Sequence, residues 1–139
     1  MCDDLCMRLR EKGQKTSVVS LSIGYSMEVY GGFSHQIGLD IPTDDTEIIL
    51  SNMLKIYDKY IENYPIRRVY LSLGKLSDGK EIQLSLFEDE EEAEKRRNLQ
   101  KITDELKTRY GKDIVLRGSA LLKESTAKER HKQIGGHKK

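Results

Sequence analysis

Two stretches of this chain have residue types and spacings suited to recognition chemistry. The first is Gln83-Leu84-Ser85-Leu86-Phe87, followed at once by the acids Glu88, Asp89, Glu90, Glu91 and Glu92. Such a peptide can offer Leu86 and Phe87 to an apolar pocket while the Gln83 amide both donates and accepts hydrogen bonds at its rim. The same residues also fit a packed strand, because Ile82, Leu84 and Leu86 alternate with polar neighbours and Asp78-Gly79 upstream is a hairpin-turn signal. The second stretch is Arg67-Arg68 at the head of an alternating run, where one of the two must point outward and Arg68 shares its face with small residues and a Tyr, as on a phosphate-contacting sheet surface.

Catalytic constellations are not visible. Asp44-Asp45 precedes a helix and Asp3-Asp4 lies beside the amino terminus, so neither pair stands on a strand end where it would hold metal ions. There is no glycine-rich phosphate loop, Ser-His-Asp order or metal-ligand spacing. Cys2 and Cys6, spaced i, i+4 with no second Cys or His pair nearby, make neither a disulfide framework nor a zinc signature and read as small core residues. His35, His131 and His137 read as surface positions.

These residues must be positioned by a small scaffold. With 139 residues, 34% charged and 37% apolar, the chain fits one highly charged soluble module with a single core. No apolar run approaches the roughly 20 residues needed to span a bilayer. Met1-Cys2-Asp3-Asp4 is acidic where a signal peptide would be basic, so a cytoplasmic protein is expected. The net charge of +1 hides a segregation, since six of the 23 acids lie between Glu88 and Glu94. Without them, 17 acids face 24 bases, an excess of seven that would draw the remainder to a polyanion. Residues 123–139 carry six bases and two acids, the composition of a basic, loosely ordered tail.

Cys2, Leu5, Cys6 and Leu9 give a helical stripe that Gly13 stops, so the chain opens inside a helix and an upstream portion is expected to be missing. Val19, Leu21 and Ile23 alternate with Val18, Ser20, Ser22 and Gly24 in a first strand. After a turn at Gly31-Gly32, Ile37, Leu39 and Ile41 alternate with Gln36, Gly38 and Asp40 in a second, antiparallel one. Gly24 and Gly38 on the outward face weaken these strands, and close approach of another backbone is one reason to keep them. Barrel-like bending is the other.

Asp44 and Glu47 suggest a capping box, followed by a stripe of Leu50, Met53, Leu54, Tyr57, Tyr60, Ile61 and Tyr64 that Pro65 ends after about five helical turns. A third strand over 66–76 puts Val69, Leu71 and Leu73 inward and Arg68, Tyr70, Ser72 and Gly74 outward. The acid run then begins a helix whose buried stripe would be Leu99, Ile102, Leu106 and Tyr110, stopped by Gly111. Residues 113–122 would make a fourth strand. The expected fold class is therefore α+β: a two-layer sandwich over residues 1–122, its mostly antiparallel four-stranded sheet covered by helices on one face and open on the other.

Several stretches together resemble one family. Arg8-Leu9-Arg10-Glu11-Lys12-Gly13, Ser22-Ile23-Gly24-Tyr25, Gly31-Gly32-Phe33-Ser34, Pro42-Thr43-Asp44-Asp45-Thr46 and Ile66-Arg67-Arg68 are similar, in order and spacing, to the carboxyl-terminal little-finger domain of Y-family translesion DNA polymerases of the UmuC/DinB (ImpB/MucB/SamB) type. Gln83 to Phe87 resembles the family's sliding-clamp docking pentapeptide. Residues 125–130 and 134–138 resemble the endings of UmuC-like proteins of Gram-positive bacteria, their plasmids and phages.

The resemblance implies a domain that lies in the major groove of primer-template duplex DNA, holds its phosphate backbone, and tethers a repair polymerase of the SOS response to the bacterial sliding clamp. It carries over Arg67 and Arg68 as the DNA-contacting basic pair and Ser34 and His35 as a contacting turn. At the position of His35 the family often has Arg. With the outward residues Ser22 and Gly24, these make the expected DNA-binding set. The family's catalytic carboxylates and their magnesium belong to domains absent here, so no cofactor is expected in this chain and it should not polymerise DNA alone. The family's upstream strand is also absent, which leaves a sheet edge that residues 113–122 or a second copy of the chain could pair. Two rivals remain, a clamp-only interaction module and a small-molecule regulatory α+β domain.

Overall fold

β1 (Gln14–Tyr25) is the strand on which the sheet is built. Its Val19, Leu21 and Ile23 are buried while Val18, Ser20, Ser22 and Gly24 stay half-exposed, the period of two of a sheet covered on one side. The computed structural model describes residues 1–78 and 90–132. β2 (Gly32–Thr43) and β3 (Ile66–Asp78) flank β1 in the order β2-β1-β3, both antiparallel to it. α1 (Cys2–Glu11) and α2 (Thr46–Tyr60) lie on one face of this sheet, so the α+β, two-layer expectation holds.

The core between the layers has two parts. Cys2, Cys6 and Leu9 of α1 meet Val19, Ile49 and Met53, while Leu21, Ile23 and Tyr25 meet Ile56. The two thiols are therefore core groups, as their spacing suggested, with their Sγ atoms 3.8 Å apart. The hydrogen bond to Cys6, with burial adding to it, holds the Cys2 thiol well above its ordinary range. Gly13, at φ +62°, turns the chain out of α1 into β1.

Arg10 fastens the two helices. Its Nη1 donates to the Asp44 carbonyl at 2.8 Å and to Thr46 Oγ1 at 2.9 Å. Asp44 is thus used through its backbone, and the N-cap of α2 is Asp45, whose Oδ1 accepts from the Glu47 amide at 2.8 Å. The capping expectation is off by one residue. The buried stripe of α2 is centred on Ile49, Met53 and Ile56, while Leu54 is exposed. The helix ends at Tyr60, a turn short of the expected length, because Ile61 is already extended. Tyr64 lies beyond it and packs edge-on against Tyr25, with centroids 5.5 Å apart.

The chain forms two compact units, Met1–Glu88 and Asp89–Lys139. In the second, α3 (Glu90–Tyr110) starts in the acid run and ends before Gly111, at φ +98°. Its expected stripe is not buried: Leu99, Ile102, Leu106 and Tyr110 are all exposed. Nor is the expected fourth strand present. Residues 113–122 form turns and a short 3-10 helix at Gly118–Leu121, with Ile114, Leu121 and Leu122 exposed. The run Ile114-Val115-Leu116 is three residues long, has no alternation, and is closed by Arg117-Gly118, too little to extend a ladder. Among the described residues the sheet therefore has three strands.

The expected tail contains a short helix, α4 (Ala127–His131), and His131 Nδ1 lies 2.6 Å from Asp113 Oδ1. Residues 133–139 lie outside the described residues.

Candidate nucleic-acid interface

The uncovered face of the sheet is a lattice that the strand register fixes. Four cross-strand rows run from β2 through β1 to β3: Gly32, Gly24, Arg68; Ser34, Ser22, Tyr70; Gln36, Ser20, Ser72; and Gly38, Val18, Gly74. Strand geometry puts neighbours within a row about 5 Å apart and successive rows roughly 7 Å apart. No row contains an acidic side chain. β1 and β2 thus supply a floor of Gly and Ser with Val18 and Gln36, beside which Arg68 and Tyr70 of β3 stand exposed.

Two kinds of glycine occur here. Gly32, at φ +151°, is required by the fold, since a Cβ there would lie 2.0 Å from the Ile23 carbonyl oxygen. Gly38 and Gly24 have no such reason. A Cβ on Gly38 would meet nothing within 4 Å, and one on Gly24 would make ordinary contact with the Arg68 Cβ at 3.5 Å. Their φ angles are outside the left-handed region. The fold tolerates side chains at both positions, and the strands would gain from them.

Arg67 and Arg68 owe their presentation to a bulge. The β1–β3 register pairs Gly24 with Arg68 but Tyr25 with Ile66, which leaves Arg67 as the extra residue on β3. Both arginines are exposed, and neither has an ion-pair or hydrogen-bond partner among the described residues.

Of the six residues expected to contact DNA, the structure brings Ser22, Gly24, Ser34 and Arg68 together on the open face, with Arg67 at its corner. His35 is separated from them. It pairs with buried Leu21 and so belongs to the helix-side face, where its ring stacks on Tyr60 with centroids 3.6 Å apart. The expected list also omitted Tyr70, Gln36, Ser20 and Ser72, which share the face. Counting by twos from Arg68, Ser34 and Ser22 would have found them. Gln83, Leu84, Ser85, Leu86 and Phe87 lie outside the described residues.

The described residues contain no group of three or more His, Cys, Asp and Glu side chains placed to hold a metal ion. None of the described helices is long and apolar enough to cross a membrane.

The fold and this face define a class: a two-layer α+β domain of the little-finger type, helices on one side and, on the other, a floor of small residues whose four rows carry no acid. Residues 1–86 match the impB/mucB/samB family C-terminal domain, and the chain belongs to this family as a Y-family polymerase C-terminal domain. It is 34% identical over 139 residues to a Bacillus subtilis protein that carries the name UV-damage repair protein UvrX, covering 99% of this chain and 33% of that one. It is 30% identical over 140 residues to DNA polymerase IV 2 of the same organism, covering all of this chain and 33% of the relative. DNA polymerase IV of Clostridium acetobutylicum is 29% identical over 124 residues, 89% of this chain and 31% of that protein. The chain spans about a third of the length of these curated relatives.

Proposed function

We propose that this domain holds duplex DNA by its sugar–phosphate backbone through the open sheet face, as the DNA-gripping part of a polymerase that works in DNA-damage repair. The observation that carries this reading is the pair of glycines, Gly24 and Gly38, that the fold does not need. They keep the floor low beside two guanidiniums that have no partner among the described residues, and a low floor serves something that must approach the strand backbone closely. A phosphate backbone fits this combination. It can accept hydrogen bonds from Ser22 and Ser34 and ion pairs from Arg67 and Arg68, and the rows offer no acid to repel it. The names of the relatives, a UV-damage repair protein and two DNA polymerases, agree with this assignment.

The mechanism is positional. Backbone contacts give an affinity that depends on salt and not on sequence. The pentapeptide Gln83 to Phe87 supplies a second attachment, to the bacterial sliding clamp, which would raise the effective concentration of the domain at the primer terminus. A salt titration of binding to a labelled primer-template duplex tests the first attachment. Sequence-independent binding that falls steeply with salt supports it, and failure to bind at low salt refutes it. The second is tested by clamp binding of the wild type against a Leu86→Ala/Phe87→Ala variant, where equal binding would remove the pentapeptide from the interface.

A further inference from the structure

We infer that Tyr70 is a DNA-binding residue of this face, its phenol donating a hydrogen bond to a backbone phosphate next to the one that Arg68 neutralises. The inference rests on the DNA-holding reading above and adds a contact to it. Tyr70 is 60% exposed although it sits well inside β3, an edge strand of the sheet among the described residues, and shares its face with serines and glycines. No packing role accounts for it. Its ring touches no other aromatic ring, and its hydroxyl has no hydrogen-bond partner among the described residues.

The register supplies the rest. Tyr70 is level with Ser22, which is level with Ser34, so one row across the sheet carries three side-chain hydroxyls and nothing else. None of the three hydroxyls is engaged among the described residues. The neighbouring row, roughly 7 Å away along the strands, carries Arg68 above two glycines. A cation and a line of neutral donors on adjacent rows suit a charged polymer whose acceptors recur along its length. Tyrosine and serine hydroxyls are ordinary phosphate donors. A stacking role for the ring would instead require an unpaired base, since a duplex exposes no base face.

A neutral donor and a cation leave different thermodynamic signatures. Loss of a cation releases fewer counterions and flattens the salt dependence by about 0.9 per phosphate, whereas loss of a neutral donor lowers affinity at every salt concentration alike. The test is equilibrium binding of wild type, Tyr70→Phe and Tyr70→Ala to a primer-template duplex and to single-stranded DNA over a range of salt, with melting temperatures as a control. Tyr70→Phe should bind duplex roughly tenfold more weakly, with the wild-type salt slope and melting temperature, and Tyr70→Ala should be no weaker than Tyr70→Phe. Wild-type affinity in Tyr70→Phe overturns the inference. So does a defect confined to Tyr70→Ala and greatest on single strands, which would make the ring a stacking surface, and so does a flattened slope, which would place the effect on Arg68. In each of these cases the wild type still grips duplex. A wild-type chain that binds no duplex at low salt overturns the DNA-holding reading itself.

Discussion

The two faces of β1 come from one dodecapeptide and are composed for opposite ends. On the helix side, Val19, Leu21 and Ile23 are closed off by α1 and α2 and make up the middle of the core. On the other, Val18, Ser20, Ser22 and Gly24 line up with more Ser and Gly from both neighbours. Each covered residue contributes to stability by leaving water. Most residues on the open side contribute little, and glycine detracts. The contrast teaches that the open face is shaped by what it must leave room for. If so, substitutions on the covered face should act on folding alone, and those on the open face should weaken binding without weakening the fold.

The largest effect belongs to the covered side. Ile49, fully buried on α2, packs in the same cluster as Val19. Ile49→Ala should destabilise the domain by about 2–5 kcal/mol, read from urea unfolding. Duplex affinity per folded molecule should not change, and a matching fall in affinity would break the separation of the faces. Next come the arginines. Arg67→Ala and Arg68→Ala should each lower the salt slope of duplex binding by about 0.9 while leaving the melting temperature unchanged. An unchanged slope in both would remove them from the interface.

A smaller effect is expected where α2 begins. Asp45→Ala deletes the side chain that caps the Glu47 amide and should cost about 1 kcal/mol, detectable as a lowered urea midpoint. Asp44→Ala is the matched control, because Asp44 serves Arg10 through its carbonyl and should keep that bond. Equal losses in the two variants would mean that the cap is shared between them.

This one-residue difference shows what the sequence carried and what it did not. The period of two was most legible in β1, which has one wet and one dry face and wrote the dry one in Val, Leu and Ile, whereas on β3 Leu71 and Leu73 are only half-buried and Val69, expected inward, is exposed. The choice between Asp44 and Asp45 depended on Arg10, a residue 34 positions away that no local pattern includes. His35 lies apart from the other expected residues for a different reason. It is adjacent to Ser34 on one strand, and adjacent residues point to opposite faces, so a family likeness that gave both to one interface conflicted with the strand's own parity. The stripe of α3 was legible as a helix face, but periodicity alone does not supply a surface to cover it. Residues 113–122 offered apolar content without alternation, which is too weak a signal for a strand.

The smallest effect is the most discriminating, because its two halves have opposite signs. Gly38 sits on the edge strand with a φ that any residue adopts, and an added Cβ would touch nothing within 4 Å. Gly38→Ala should therefore stabilise the domain, by about 0.5–1 kcal/mol in urea unfolding, since alanine loses less backbone entropy on folding than glycine. The methyl group would also raise the floor of the open face, so duplex binding should weaken, and Gly38→Val should weaken it further. A domain made more stable and worse at gripping DNA by one methyl is hard to explain unless the glycine is kept for the ligand. If Gly38→Ala instead binds duplex as well as the wild type, the floor at that row lies outside the contact. The interface would then contract towards the Arg68 and Tyr70 rows, where Gly24→Ala asks the same question with the Arg68 side chain 3.5 Å away.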